Sequence, residues 1–290
     1  MFNNHLKEEW LTEDINEDIK QIINNTCEAC RLNRSTSRQV LQDELDSLIH
    51  TFLKKEQGCY RTIHDKLFDF LSFYFGKTSI VSLIIKNGDK RFLSERLVFK
   101  KTAGSDQLTT IVPDKYQKMY IQRMLDAWSN GEVVTVFTNI NIKSSEFRNT
   151  FLVYLKNLDT THQKQLATKC DNEAFTVEYN NAANVSLETL DDIIAYNSRM
   201  STPLLHCCAV GDINMVEWCC SFGADVNYCS KYGESPLYIA CKEGYTDIVT
   251  KLVDNKADIN KCTEGESPLY IACSGGYTDI VTKLVDNNAD

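Results

Sequence analysis

The chain has 290 residues, 43% of them hydrophobic and 24% charged, with 31 Lys and Arg against 40 Asp and Glu. This composition is typical of a globular protein and excludes a collagen-like or wholly disordered chain. The net charge of −9 argues against a nucleic-acid or anionic-membrane binder, because both need a basic surface. Twelve cysteines, some adjacent as in Cys207-Cys208, are typical of buried thiols in a reducing compartment, so we expect a cytoplasmic protein.

The first hundred residues predict a helical module. Apolar residues from Val40 to Ile49 have helical spacing that runs on to Leu53, and Gly58 ends this pattern. A second helix is predicted from Thr62 to Phe75, apolar nearly all round and therefore buried. The polar stretch Lys100–Leu108 predicts a linker, so we assign residues 1–99 to one domain.

The segment Leu45–Gly76 resembles the helical, winged-helix-like module that follows the nucleotide-binding core in STAND (NACHT-like) ATPases. The matching positions are Tyr60, His64, Asp65, Leu67, Phe68, Phe70 and Leu71. The resemblance implies an ATPase core upstream of Met1, with this chain as a regulatory and sensor fragment. The chain has no complete phosphate-binding loop, since Leu71 stands where Gly76-Lys77-Thr78 would need an earlier glycine.

Four further helices are predicted after the linker. They lie around Lys115–Trp128, Val133–Phe137, Ser145–Leu158 and His162–Cys170, with a break at Asn130-Gly131. Paired helices with short breaks indicate degenerate helical hairpins over residues 109–177. A second polar connector, Glu178–Asp192, follows them.

The last ninety residues contain an internal repeat. Residues 233–258 and 265–290 are identical at 23 of 26 positions, and residues 201–227 form a more diverged copy. A period near 33 with a Ser/Thr-Pro-Leu start resembles the ankyrin repeat. We therefore expect an all-α protein, in which an irregular helical module precedes an ankyrin-repeat α-solenoid over residues 193–290. The copies span about 201–232, 233–264 and 265–290.

Local signals in each copy favour two short helices. Pro236 fits a first helical turn with Ser235 as its cap, and Gly244 ends that helix. Thr246 or Asp247 is expected to cap the second helix. The ankyrin motif has His after Pro-Leu, where the three copies carry other residues: Leu205, Tyr238 and Tyr270. This departure puts the usual polar contacts between repeats in doubt.

The resemblance implies a non-enzymatic module that binds a protein through a concave face. By position in the repeat, we expect the exposed partner-binding residues to be Lys231, Tyr232, Glu234, Lys242, Glu243, Thr263, Glu264, Glu266 and Ser274. Tyr232 is the expected aromatic anchor. Residues 201–290 carry 6 Lys against 13 Asp and Glu, so we expect a protein partner with a basic, partly apolar surface.

No set of residues predicts catalysis, a cofactor or a small-molecule substrate. Cys27-x-x-Cys30 with Cys59 and His64 offers four possible zinc ligands, but their spacing is irregular and two partly buried thiols are the simpler interpretation. We therefore expect no metal and no enzyme activity. The stretch from Phe68 to Ile85 contains Asp69 and Lys77, so we also expect no membrane span.

Overall fold

A computed structural model describes residues 6–12, 17, 20, 21, 23, 24, 38–63, 81–88, 90–100, 109–171, 200–261, 263 and 265–289. The chain divides into two compact units, Met1–Arg123 and Met124–Asp290. The helix expected over Thr62–Phe75, both polar connectors and the Cys27-x-x-Cys30 pair lie wholly or largely outside the described residues.

The first unit mixes short helices with strands. Its elements are β1 (Leu6–Lys7), α1 (Glu9–Thr12), α2 (Arg38–Ser47), β2 (Leu53–Glu56), β3 (Cys59–Thr62), α3 (Val81–Asn87), α4 (Lys90–Arg96), β4 (Leu97–Val98), β5 (Thr110–Ile111) and the start of α5 (Asp114–Ser129). Three strands form an antiparallel sheet in the order β1-β3-β2, and β4 pairs with β5 in parallel. The expectation of an all-α chain is therefore wrong for this unit, although the protein as a whole is mostly helical.

The strands β2 and β3 form a hairpin in which Leu53 lies opposite Thr62 and Lys55 opposite Tyr60. The two turn residues, Gln57 and Gly58, both have positive φ, which is the backbone that a tight two-residue hairpin requires. Sequence periodicity placed Leu53 at the end of a helix, which was wrong because α2 ends at Ser47 and Leu53 begins β2, paired with Thr62.

Tyr60 anchors the hairpin to the helices of the first unit. Its ring is buried against Leu6 and Leu11, and its hydroxyl donates to Asp46 Oδ1 at 2.7 Å. Its strand conformation disagrees with the helix on which the STAND-like likeness places it. The other matching positions, from His64 to Leu71, lie outside the described residues, so that likeness stays a prediction.

The second unit is built from helices. Its elements after α5 are α6 (Val133–Phe137), a 3₁₀ helix (Ile140–Lys143), α7 (Ser145–Lys156), α8 (Thr160–Ala167), α9 (Pro203–Val210), α10 (Ile213–Ser221), α11 (Pro236–Glu243), α12 (Thr246–Asp254), α13 (Pro268–Ser274) and α14 (Thr278–Asp286). The four helices predicted between the polar connectors are confirmed within a few residues at their ends. The expected break at Asn130-Gly131 is also confirmed, since Gly131 has a φ of 86°.

The first helix of each repeat begins as its sequence predicts, and that of the second repeat also ends where predicted. Ser235 Oγ accepts from the Tyr238 N–H at 3.1 Å at the start of α11, and Gly244 ends the helix in the left-handed conformation. Thr202 and Ser267 cap α9 and α13 in the same way. The expected cap of the second helix was wrong, because α12 starts one residue earlier with Tyr245 at its N-cap position.

The repeat helices contact one another in two rows. The first helices α9, α11 and α13 contact in that order, and so do the second helices α10, α12 and α14. In the central copy, Leu237, Ile239, Ala240 and Cys241 are completely buried. Their small and medium-sized side chains fill the space between neighbouring copies, which supplies the core that a single copy lacks.

A tyrosine of each following copy closes over a glycine of the copy before it. A Cβ atom at Gly211 would lie 2.5 Å from Cζ of Tyr245, and one at Gly244 would lie 2.5 Å from Cε1 of Tyr277. Both glycines also have positive φ. Each of these positions thus requires glycine for two reasons: the backbone has positive φ, and the tyrosine ring approaches too closely for a Cβ atom.

The helices before the repeats pack directly on the first copy. Trp128 is fully buried against Phe137, Phe151 and Trp218, and the Trp218 indole donates to Gln163 Oε1 at 2.9 Å. This contact closes the start of the repeat array with an aromatic cluster.

An ion pair joins the same two segments. Arg148 of α7 binds Asp212, whose other oxygen accepts from the Met215 N–H and so caps α10. Arg148 also donates to the Ile142 carbonyl at 2.9 Å. Both charged side chains are largely buried, so removal of one would leave the other buried without an opposite charge, which is strongly destabilising.

His206 lies beside this ion pair and is 1% exposed. Its ring stacks on Phe137 at 5.0 Å, and its Nε2 has no hydrogen-bond partner among the described residues. Burial lowers the pKa of His206 to about 3, although a hydrogen bond with the Met200 backbone opposes the change. The imidazole is therefore neutral in the folded protein.

We predict that His206 makes the folded state less stable in acid. Its folded pKa of about 3 lies below the ordinary value of 6.5, so the unfolded chain takes up the proton first. Its contribution to stability is complete above about pH 6.5 and falls by up to about 1.4 kcal/mol per pH unit as the pH drops toward 3. The measurement is the free energy of unfolding in urea from pH 7.5 to pH 4.

The matched variant is His206→Ile, since the other two copies carry Ile239 and Ile271 at this position. The free energy of unfolding of this variant is measured over the same pH range and subtracted from that of the original protein. The subtraction cancels the contribution of the carboxyl groups, which titrate over the same range. A flat difference between the two profiles would contradict the buried neutral imidazole.

Candidate protein-binding site

The turn between the first and second copies presents two exposed aromatic rings. Tyr228 is 38% exposed and Tyr232 is 46% exposed, and Lys231 beside them is also exposed. Ser230 holds the turn, because its Oγ accepts from the Tyr232 N–H at 3.3 Å and from the Glu234 N–H at 3.2 Å. The turn is closed further by a bond from Ser230 N–H to the Glu234 carbonyl at 2.9 Å. Tyr232 thus projects from an ordered support.

Glu234 was expected to be exposed, and the structure corrects this. The residue is only 7% exposed, and its carboxylate lies 3.4 Å from both Ser230 Oγ and Lys242 Nζ. This ion pair joins Lys242, at the C-terminal end of α11, to Glu234, which lies just before the start of the same helix. Part of the acidic character predicted for this face is therefore neutralised within the copy.

Thr263 and Glu266 lie in the turn between the second and third copies, and both bond to residues of the second copy. Thr263 is buried, where exposure was expected, and its hydroxyl donates to the Gly233 carbonyl at 2.9 Å. The Tyr238 hydroxyl donates to Glu266 Oε2 at 2.8 Å. Polar contacts between copies therefore exist without the usual histidine, because Tyr238 at that position reaches the next turn.

Of the remaining predicted residues, the structure describes Glu243 and Ser274. Glu243 at the end of α11 and Ser274 at the end of α13 are exposed. Glu264 lies outside the described residues. Lys231, Tyr232, Glu243 and Ser274 are thus the predicted residues that the structure leaves exposed to a partner.

Sequence reasoning missed one further contact between copies. The Asn227 side chain accepts from the Asp258 N–H at 2.7 Å, and Lys261 donates to the Asn227 carbonyl at 2.8 Å. A signal was present, since Asp-Val-Asn at residues 225–227 recurs as Asp-Ile-Asn at 258–260. The recurrence of this asparagine, as Asn227 and Asn260, near the ends of the first two copies was the available signal of a contact with the next copy.

The outer helices pair their charges across copies as well. Lys251 lies 3.1 Å from Glu217 of the copy before it, and Lys283 lies 3.4 Å from Asp254. These pairs are partly exposed, so each is worth at most about 1 kcal/mol. They leave few lysines to balance the acidic residues of the array.

The described residues form no cluster of three or more His, Cys, Asp or Glu side chains that could hold a metal ion. A search of the same residues for a helix with the length and hydropathy of a membrane span finds none. An open cavity of about 470 Å³ is lined by Ser129, His162, Gln165, Leu166, Thr168, Lys169 and Cys170. His162 binds Asp159, the N-cap residue of α8, and all the residues that line this cavity precede the repeat copies in the chain.

A family model described as ankyrin repeats (3 copies) matches residues 177–263 and again residues 204–290. The C-terminal part of the chain carries ankyrin repeats. This match confirms the resemblance inferred from the three copies, and such repeats are in general protein–protein interaction modules. No curated protein matches the chain.

We predict that Tyr238 and Glu266 are energetically coupled. Their hydrogen bond links two ankyrin repeats and is partly buried, so it should contribute about 1 kcal/mol or more to the free energy of unfolding. The measurement is a double-mutant cycle in urea with Tyr238→Phe, Glu266→Gln and the double variant. Tyr270→Phe is the matched control, because its hydroxyl binds no carboxylate among the described residues. Additive effects of the two substitutions would contradict the coupling.

Proposed function

We propose that the ankyrin repeats form an α-solenoid whose concave face binds a protein partner. The two rows of contacting helices support this arrangement, since the helices of each copy contact their counterparts in the next copy. The turns before α11 and α13 and the exposed ends of these helices supply the binding residues. The chain acts through this contact and not through chemistry of its own.

The observation that carries the proposal is the exposed ring of Tyr232 on a turn fixed by hydrogen bonds. The hydrogen bonds fix the backbone that carries the ring, so the turn loses little backbone entropy on binding. Rings of this kind dominate the energy of many protein interfaces. Tyr228 and Lys231 flank it on the same turn, and we propose that Tyr232 is the anchor of the partner.

The charge of the array supports a partner with a basic surface. Residues 201–290 carry 13 Asp and Glu against 6 Lys, and Lys242, Lys251 and Lys283 already have carboxylate partners. The exposed Glu243 lies at the end of α11, next to Lys242. A field of this sign attracts a basic partner and weakens as salt is added.

We also propose that the protein works in the cytoplasm. The described cysteines are free thiols, and Cys207, Cys208, Cys219 and Cys241 are buried. Burial raises the pKa of the Cys241 thiol to about 12, which keeps it protonated and unreactive. Buried free thiols used as small apolar side chains fit a reducing compartment.

We predict that Tyr232→Ala and Glu243→Lys each remove partners that the full chain captures from a lysate of its own cells. The tyrosine substitution removes the anchor and should weaken binding by about 30-fold or more. The glutamate substitution reverses a surface charge and should mainly slow association at low salt. The measurement is quantitative mass spectrometry of the captured proteins.

Val153→Ala is the matched control, because this valine is also exposed but lies on α7, before the repeats. Its captured proteins should equal those of the original chain. If both array variants capture the same proteins as the original chain, the concave face is not the binding site.

A further inference from the structure

The second and third copies differ at three of the 26 positions that they share, and two of these lie side by side at the end of the first helix. Lys242 and Glu243 end α11, whereas Ser274 and Gly275 stand at the corresponding positions of the third copy. Two nearly identical copies thus differ in charge at one place, on the side that the proposed function assigns to a partner.

In the second copy, Lys242 supplies the positive charge for a carboxylate of the turn before its helix. Its Nζ lies 3.4 Å from Oε1 of Glu234, while Oε2 of Glu234 accepts from the Ser230 hydroxyl at 3.4 Å. One carboxylate oxygen thus binds a hydroxyl group and the other an ammonium group. The Lys242 side chain is 37% exposed although the third copy follows it, so the place of its ammonium group is open to solvent.

The third copy repeats the carboxylate and the hydroxyl bond without the ammonium group. Glu266 corresponds to Glu234, and its Oε2 accepts from the Tyr238 hydroxyl at 2.8 Å. Ser274 stands where Lys242 would be needed, and its side chain is uncharged and too short to form the same pair. Among the described residues, no lysine, arginine or histidine forms an ion pair with Glu266. Its Oε1 therefore keeps its capacity to accept a hydrogen bond from a cation.

Glu266 lies on the turn next to that of Tyr232. The Thr263 hydroxyl donates to the carbonyl of Gly233, the residue after Tyr232, at 2.9 Å. Thr263 and Glu266 in turn exchange two backbone hydrogen bonds, both of 2.9 Å. These bonds hold the two turns side by side, so a peptide segment that covers Tyr232 can bring a neighbouring side chain to Glu266.

The geometry at Glu266 favours lysine over arginine. An ammonium group is a compact charge that can pair with a single oxygen, as Lys242 does at Glu234. A guanidinium group binds a carboxylate most strongly through both oxygens at once. Tyr238 already donates to one oxygen of Glu266, so this two-oxygen contact would compete with an existing hydrogen bond.

We propose that Glu266 binds a lysine side chain of the protein partner, whose ammonium group takes the place that Lys242 occupies in the second copy. This inference rests on the proposed function, since the lysine belongs to the segment that Tyr232 anchors. The corresponding carboxylate of the second copy, Glu234, is already paired, so the partner's lysine is directed to the third copy. The two contacts together fix the register of the segment on the array.

The test uses peptides selected from a displayed random library for binding to the full chain, with affinities measured by calorimetry. Peptides that lose affinity for Tyr232→Ala bind the proposed site, and these should share a lysine. Replacing this lysine by glutamine should weaken binding about 10-fold, because it removes a charged hydrogen bond. Replacing it by arginine should also weaken binding, by a smaller factor.

Ser274→Lys gives the third copy the lysine that the second copy has, so it should weaken the same peptides about 10-fold by occupying Glu266. Ser274→Gln is the matched control, since it lengthens the side chain without adding a charge, and it should bind as the original chain does. Both variants retain the Tyr238–Glu266 bond, and urea unfolding checks that they are folded.

Two failures are distinguishable. Peptides that depend on Tyr232 but share no lysine, bind Ser274→Lys as tightly as the original chain, or bind more tightly with arginine would overturn this inference and leave the Tyr232 site standing. Selection of no peptide that depends on Tyr232 would contradict the proposed function and this inference together.

Discussion

The second unit depends on the burial of α11 between its two neighbours. This helix, Pro236–Glu243, contributes side chains that are completely buried, and α9 and α13 contact it from either side. A repeat of two short helices cannot bury such a face alone, so its stability comes from the copies beside it. The aromatic cluster around Trp128 gives the first copy the same kind of support.

The polar contacts between copies decide which residues remain for a partner. Glu266 binds Tyr238 of the copy before it, and Asn227 binds the backbone of the next copy. The bond from Thr263 to the Gly233 carbonyl joins the turns at the two ends of the second copy. These bonds hold the turns at a fixed spacing, because each needs its partner at hydrogen-bond distance. They also use groups that sequence position assigned to the concave face. The surface proposed for a partner is consequently smaller and less acidic than the sequence indicated.

Sequence predicted the repeat helices well, because local signals decide them. Caps such as Ser235, a proline in the first turn and a following glycine act within a few residues, and the structure has them in these roles. The hairpin at Leu53–Thr62 was missed because its residues are mostly polar and have no apolar alternation that would mark a strand. Glu234 was assigned to the surface by its position in the repeat. Its contacts with Ser230 and with Lys242, eight residues later, form only when the turn and the helix have folded.

Neighbouring repeats of the array are packed against each other in register. Gly244 and Gly276 occupy the same position of two copies and both have positive φ, but only Gly244 lies under a ring, that of Tyr277. The most direct measurement is the free energy of unfolding of Gly244→Ala and Gly276→Ala in urea. Both should lose about 1 kcal/mol from the backbone, and Gly244→Ala a further 1 to 3 kcal/mol or so from the clash. Equal losses would contradict the packing described for the array.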